Sequence, residues 1–273
     1  MESSLKTDAC ISVFSQEDLI KGLQEDHVTI NICDNFSVDQ RIVVNTKELV
    51  IHGQNYSLEF QESGSLYFQD TNAISISDLS ISGQGSDWEN NLDLLTFDHV
   101  EMIHLSGCFF SDGADECVCF KNGCDEIFLT DCTFTYTKPP KSLRERKNHN
   151  FALLIGKNAN DKPASGKHHV YLDNVSFIGN IRRCPRVRNA YVFMRKCTFN
   201  TTSLYTVGPE NSELIFVDCK FVNRDIKHPQ FIHKFGDYKC IVVENDLVVY
   251  KNPKFSQFNK PEFYENYSDS RIW

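Results

Sequence analysis

No run of about 18 apolar residues occurs in the 273-residue chain, which excludes a helical membrane span. The first residues hold no basic stretch followed by an apolar one, so no secretory signal is legible. The motifs GxxxxGK[ST], GxSxG, HExxH and a helix-opening GxGxxG are all missing. Their absence removes the usual signatures of phosphate-loop, serine-hydrolase, zinc-protease and dinucleotide chemistry. The 11 cysteines include no CxxC pair, which argues against a zinc site. Positive charge is in deficit overall. A net charge of -9 gives no long-range attraction for nucleic acid or an anionic membrane, and neither is expected as a partner.

What the chain does have is a repeat. Residues 103–110, 127–134 and 192–199 each place an aliphatic residue five positions before a cysteine and a phenylalanine two positions after it. Residues 74–81, 170–177 and 214–221 fit with small changes, with Leu79, Val175 and Cys219 at the marker position. The markers at 79, 108, 132, 175, 197 and 219 are 29, 24, 43, 22 and 22 residues apart. Each unit alternates apolar and polar residues and favours β-branched and aromatic types, which is a strand pattern. About 22 residues is too short for two packed helices and suits one coil of a parallel β-helix. Coils about 4.8 Å apart would stack Leu79, Cys108, Cys132, Val175, Cys197 and Cys219 in one interior column. The phenylalanines two positions later would form a second.

The irregular intervals predict loops at residues 83–91, 137–147 and 157–166, all polar and rich in breakers, clustering on one side where sites reside. His168 and His169 read as a surface turn. Ser15 followed by Asp18, Leu19, Ile20 and Leu23 predicts a capped amphipathic helix over the open end of the coil. The expected fold is therefore all-β: a right-handed, single-stranded parallel β-helix with a short N-terminal helical cap. Its parts are a cap and first strand at 1–45, the coil at 46–251 and an irregular aromatic-containing segment at 252–273.

Interior thiols behave as small hydrophobes, and stacked free cysteines favour a reducing compartment. A cytoplasmic location is expected, although a mature secreted form fits the same residues. Against the acidic body, Arg182, Arg183, Arg186, Arg188, Arg195 and Lys196 crowd into 15 residues, and Lys138, Lys141, Arg144, Arg146 and Lys147 share one loop. A basic patch on an acidic body points to an anionic ligand; the competing reading is a solvated strand face balanced by nearby carboxylates.

The segment Arg183-Cys184-Pro185-Arg186-Val187-Arg188 resembles the R-x-P-x-x-R segment of the pectate lyases. Residues 48–54 resemble that family's early strand, Asp112-Gly113-Ala114-Asp115 its acidic segment, and Leu154-Ile155-Gly156 its L-I-G segment, all in family order between about residues 12 and 223. The resemblance implies calcium-assisted β-elimination of polygalacturonate, an acidic polysaccharide. It places Arg183 as the base and Arg188 on the substrate carboxylate; Arg186, in the same basic run, and Lys147, in the loop nearby, are further expected substrate contacts. It places Asp93, Asp115 and Asn91 on calcium, with Asp112 as a substitute ligand. Two family positions depart: Cys119 stands for a carboxylate and Phe151 for a lysine. Losing a hard oxygen ligand weakens a calcium site, so the site is expected to be weak or lost. The expected function is binding of an anionic polysaccharide in an arginine-lined groove without efficient catalysis. The alternatives are an active pectate lyase and a protein-interaction scaffold.

Overall fold

The alternation read from the sequence becomes three walls. In the computed structural model, which describes residues 9–87, 92–139, 149–202, 205–223, 230–232, 235–243 and 247–248, the chain winds through a ten-, a nine- and an eight-stranded sheet in turn. Every pairing is parallel, and each strand pairs with the strand one coil away. This is a right-handed parallel β-helix. The walls are named first, second and third in the order the chain meets them.

The corner between the first and second sheets explains how the repeat closes. One residue per coil there is left-handed: Asp78, Gly107, Asp131, Asn174, Lys196 and Asp218 have φ of 51° to 61°. That single kink turns the chain while its N–H stays in the ladder, as Gly107 N donating to Thr130 O at 2.9 Å shows. Asp and Asn tolerate this conformation better than most residues. At Gly107 an added Cβ would lie 2.5 Å from Asp78 Oδ1, so any side chain there would have to push the Asp78 carboxylate aside.

The residue after each kink is the marker. Leu79, Cys108, Cys132, Val175, Cys197 and Cys219 are all buried, and from Cys108 onward the N–H following each bonds the carbonyl of the marker in the coil before. Two positions on, Phe110, Phe134, Phe177, Phe199 and Phe221 stack with ring centroids 5.1, 5.3, 5.3 and 4.7 Å apart. The third sheet lines its interior with Phe68, Phe97 and Phe120, stacked at 5.0 and 5.2 Å, and continues through Ile155 and Val187. Each such ring contributes roughly 1.5–3 kcal/mol by burial and about 0.5–1.5 more by stacking.

The helical cap forms as expected. Helix α1 (Gln16–Gly22) has Ser15 as N-cap, its hydroxyl accepting from Asp18 N at 3.2 Å, and Phe14 N donates back to Asp18 Oδ2 at 3.2 Å. Leu19 and Leu23 turn inward against the first coil. Strand stacking already begins at Ala9–Val13, ahead of the expected start at 46, because the cap is inserted between the first two strands of the first sheet. Residues 252–273 lie outside the described residues.

The loops do not all gather on one side. Residues 83–94, 112–115, 137–150 and 180–185 join the second sheet to the third, whereas 157–167 joins the third to the first. There Asp161 accepts from the backbone N–H of Asn122, Gly123 and Lys157 at 2.8, 2.8 and 2.6 Å and holds that loop against the wall. His168, expected in a surface turn, instead opens the strand His168–Asp173 and is fully buried, with its ring nitrogens 2.5 Å from Cys124 O and 3.3 Å from Asp161 O.

Candidate functional site

The third sheet and the loops entering it bring together residues far apart in sequence. Four consecutive coils supply Asp93, just before the strand Leu95–Asp98; Asp115 and Glu116, at the start of Glu116–Lys121; Phe151, opening Phe151–Ile155; and Arg183, three residues before Arg186–Arg188. Register does this: Glu116 pairs with Phe151, and Phe151 bridges to Arg182.

Carboxylate oxygens of Asp93, Asp115 and Glu116 lie within 4.8 Å of one another, a donor set that can hold a metal ion. Asp93 is anchored by Thr96 Oγ1, which donates to Oδ2 at 3.0 Å, and by Glu116 N, which donates to Oδ1 at 3.1 Å. Burial, and then the charge of Asp115, push the Asp93 carboxyl up to about 6. Burial pushes Glu116 well above the ordinary carboxylate range, with Asp93 and Asp115 acting in the same direction and Arg183 opposing. Asp115 faces His149, whose Nδ1 lies 2.7 Å from Asp115 Oδ1.

Arg183 closes this cluster on the solvent side. Its Nη1 contacts Glu116 Oε1, and its guanidinium lies 3.6 Å from the centroid of the Phe151 ring, with that of Arg182 at 5.0 Å. The backbone is pinned by Leu153 N donating to Arg183 O at 2.9 Å, and φ of 54° puts this bulky residue in the left-handed region. Phe151 thus does at its position what a lysine would not: it offers a π face to two guanidiniums.

Arg186 and Arg188 turn the other way along the wall, toward the following coil. Arg186 Nη2 and Arg188 Nε share Glu210 Oε2, at 2.6 and 3.0 Å. Arg186 also donates to Gly208 O at 2.9 Å, and its guanidinium lies 3.6 Å from the Phe235 ring centroid, leaving the residue 5% exposed. Burial, and then Arg188, lower its pKa to about 10. Arg188 remains more open and donates to Gly156 O at 2.7 Å. The three expected arginines therefore share a wall but serve two carboxylates, Glu116 and Glu210, in different coils.

Asp112 stands apart from the acidic cluster. It is buried and accepts from Thr137 N, Thr137 Oγ1 and Lys138 N at 2.7, 2.8 and 2.9 Å, which clamps the start of the 137–150 loop. Its oxygens are consumed there by three donors, so it holds a loop. Asn91 and Lys147 lie outside the described residues. Cys119 is buried, with its thiol pushed well above the ordinary range by burial and then by Asp93.

Several residues here carried no sequence signal. His149 and Tyr136 are brought in by a long loop and a coil corner. The Tyr136 hydroxyl is buried 3.0 Å from Asp115 O and 3.3 Å from both His149 O and Phe151 O, so its one proton has three site carbonyls within reach. Glu210 could have been found, because it lies one 22-residue interval after Arg188. Farther along the wall, Tyr67 has the Arg41 guanidinium 4.1 Å and the Lys121 ammonium 4.8 Å from its ring centroid, while its hydroxyl donates to Asp98.

No protein-family model and no curated protein matches the sequence. Solved structures do match, and what they share with this chain is the parallel β-helix fold, which pectate lyases also have. The pectate lyase from Paenibacillus sp. 0602 matches with a TM-score of 0.62 and 11% identity, over 90% of this chain and 80% of that one. Jun a 1, the major allergen from cedar pollen, matches with a TM-score of 0.68 and 12% identity, over 93% of this chain and 84% of that one. At such identities the likeness establishes the fold, and the chemistry must be argued from the wall itself.

Proposed function

We propose that this protein binds an acidic polysaccharide along the third-sheet wall and does not cleave it efficiently. The observation that carries this reading is the state of Arg183. A base must surrender its proton, yet a guanidinium held on a buried carboxylate and stacked on an aromatic ring is stabilised as a cation. Phe151 and Cys119 remove a cation and a carboxylate from the machinery that the family resemblance implies.

Calcium takes roughly six to eight oxygen ligands. Asp93, Asp115 and Glu116 are the right donor type, but Asp93 already accepts from Thr96 Oγ1 and Glu116 N, and Arg183 holds Glu116. With Arg183 seated on Glu116, the cluster does not fit a calcium ion. Binding is instead carried by positive groups spread along the wall: Arg188, Arg182 over Phe151, and Arg41 and Lys121 beside Tyr67. Uronate carboxylates meet such groups by charge-assisted hydrogen bonds.

The test is incubation with polygalacturonate and calcium at alkaline pH, following the absorbance of unsaturated product, alongside a direct binding titration in low and high salt. Salt-sensitive binding with no product is expected. Product formation lost in Arg183→Ala would instead establish the lyase. No binding at low salt would leave the wall as an interaction scaffold.

A further inference from the structure

We propose that the Arg183 guanidinium is a resident substitute for a divalent cation in the Asp93–Asp115–Glu116 cluster, which makes this wall indifferent to calcium. Only the consequence for ligand binding, that it needs no calcium, rests on the polysaccharide reading above; the substitution itself rests on geometry.

Three carboxylates with oxygens inside 4.8 Å, one of them buried, repel one another when ionised and favour a cation beside them. Arg183 is placed to be that cation, with Nη1 on Glu116 Oε1. Glu116 has a side chain 3% exposed and Arg183 one 28% exposed, so the guanidinium sits at the mouth and the carboxylate behind it. An ion arriving from solvent would have to displace the arginine. Displacement is resisted by the Phe151 ring, 3.6 Å from the guanidinium, and by the backbone bond that pins residue 183 to the wall. The other two carboxyls are also provided for. Asp93 accepts from Thr96 Oγ1 at 3.0 Å and from Glu116 N at 3.1 Å, and Asp115 Oδ1 has His149 Nδ1 2.7 Å away.

The prediction is read by thermal unfolding with calcium as the only added ligand. Wild-type protein should show no calcium-dependent change in Tm. Arg183→Met keeps an apolar stem against Phe151 but removes the charge, and should gain a Tm rise of about 5 °C at calcium about a hundredfold above its dissociation constant. Arg183→Gln should gain a rise as well and serves as the second variant if the first loses the wild-type circular dichroism spectrum. Arg183→Lys keeps the charge and should stay silent. A calcium-induced rise in the wild type overturns the proposal, as does a folded Arg183→Met or Arg183→Gln variant that ignores calcium, or an Arg183→Lys that responds as the neutral variants do. None of these readouts involves a polysaccharide, so failure here is distinct from failure of the binding reading.

Discussion

The second and third sheets are built from the same coils but by opposite rules. Along the second sheet one residue type recurs: cysteine or an aliphatic at the marker, phenylalanine two positions on, each stacked on its copy. Along the mouth of the third sheet, every coil brings something different: Asp93, Glu116, Phe151 and Arg183. Like stacks on like only where the group is apolar. A column of identical carboxylates or guanidiniums at 4.8 Å spacing would repel itself, so a polar column must alternate in sign or lose charge. The repeating wall is thus the structural one, and the wall where repetition fails is where chemistry is placed.

The largest expected effect would break the repeating wall. Phe134 is fully buried between Phe110 and Phe177, at 5.1 and 5.3 Å. Phe134→Ala deletes two stacking contacts and leaves a cavity, for an expected loss of about 3–5 kcal/mol in urea unfolding. A loss under about 1 kcal/mol would mean that the column is not close-packed.

The next effect belongs to the other wall and depends on pH. The Asp93 carboxyl is raised to about 6 in the folded protein from 3.8, chiefly by burial. Between these values the folded chain holds a proton that the unfolded chain has released, so the contribution of Asp93 to stability falls as pH rises from about 4 through 6 and is level above. The size is on the order of 2–3 kcal/mol. Asp93→Asn should flatten this part of the pH profile and be the more stable protein at pH 7. Unfolding free energies measured at pH 4.5 and 7.5 check it, and an unchanged slope in the variant would remove Asp93 from the cluster's electrostatics.

Tyr136 joins the two walls. It ends a second-sheet strand, yet its hydroxyl serves the carbonyls of Asp115, His149 and Phe151. Tyr136→Phe leaves those acceptors without their buried donor at an expected cost of about 1–3 kcal/mol. Increased amide exchange confined to residues 115–117 and 149–152 would localise the loss to the site wall.

This contrast also decides what could be read in the sequence. The coil, its marker column, its phenylalanine column and the cap at Ser15 were all legible, because each depends on local periodicity repeated many times. Asp93, Asp115 and Arg183 were legible as a group because a motif fixes their order, and the fold does bring them to one corner. Their state was not. Whether Arg183 is open or held depends on Glu116, 67 residues away, across coils whose lengths differ by loop insertion. The same insertions concealed His149. Arg186 was expected to contact substrate, but Phe235 and Glu210, from later coils, cover and neutralise it.

The smallest expected effect sharpens the comparison most. Cys132 sits in the marker column with its thiol 3.3 Å from Thr130 O and 3.4 Å from Leu105 O. A thiol is a weak donor, so these contacts contribute little beyond packing. In the very next coil Val175 occupies the same place, fully buried and in the same ladder. Cys132→Val should therefore cost less than about 1.5 kcal/mol. If the column is only a hydrophobic one, the loss will stay small and the same in reducing and non-reducing buffer. A cost above about 3 kcal/mol, or a loss that appears only without reductant, would show that the thiols do something that a β-branched hydrocarbon cannot, and the rule that this wall stacks like on like for packing alone would fail.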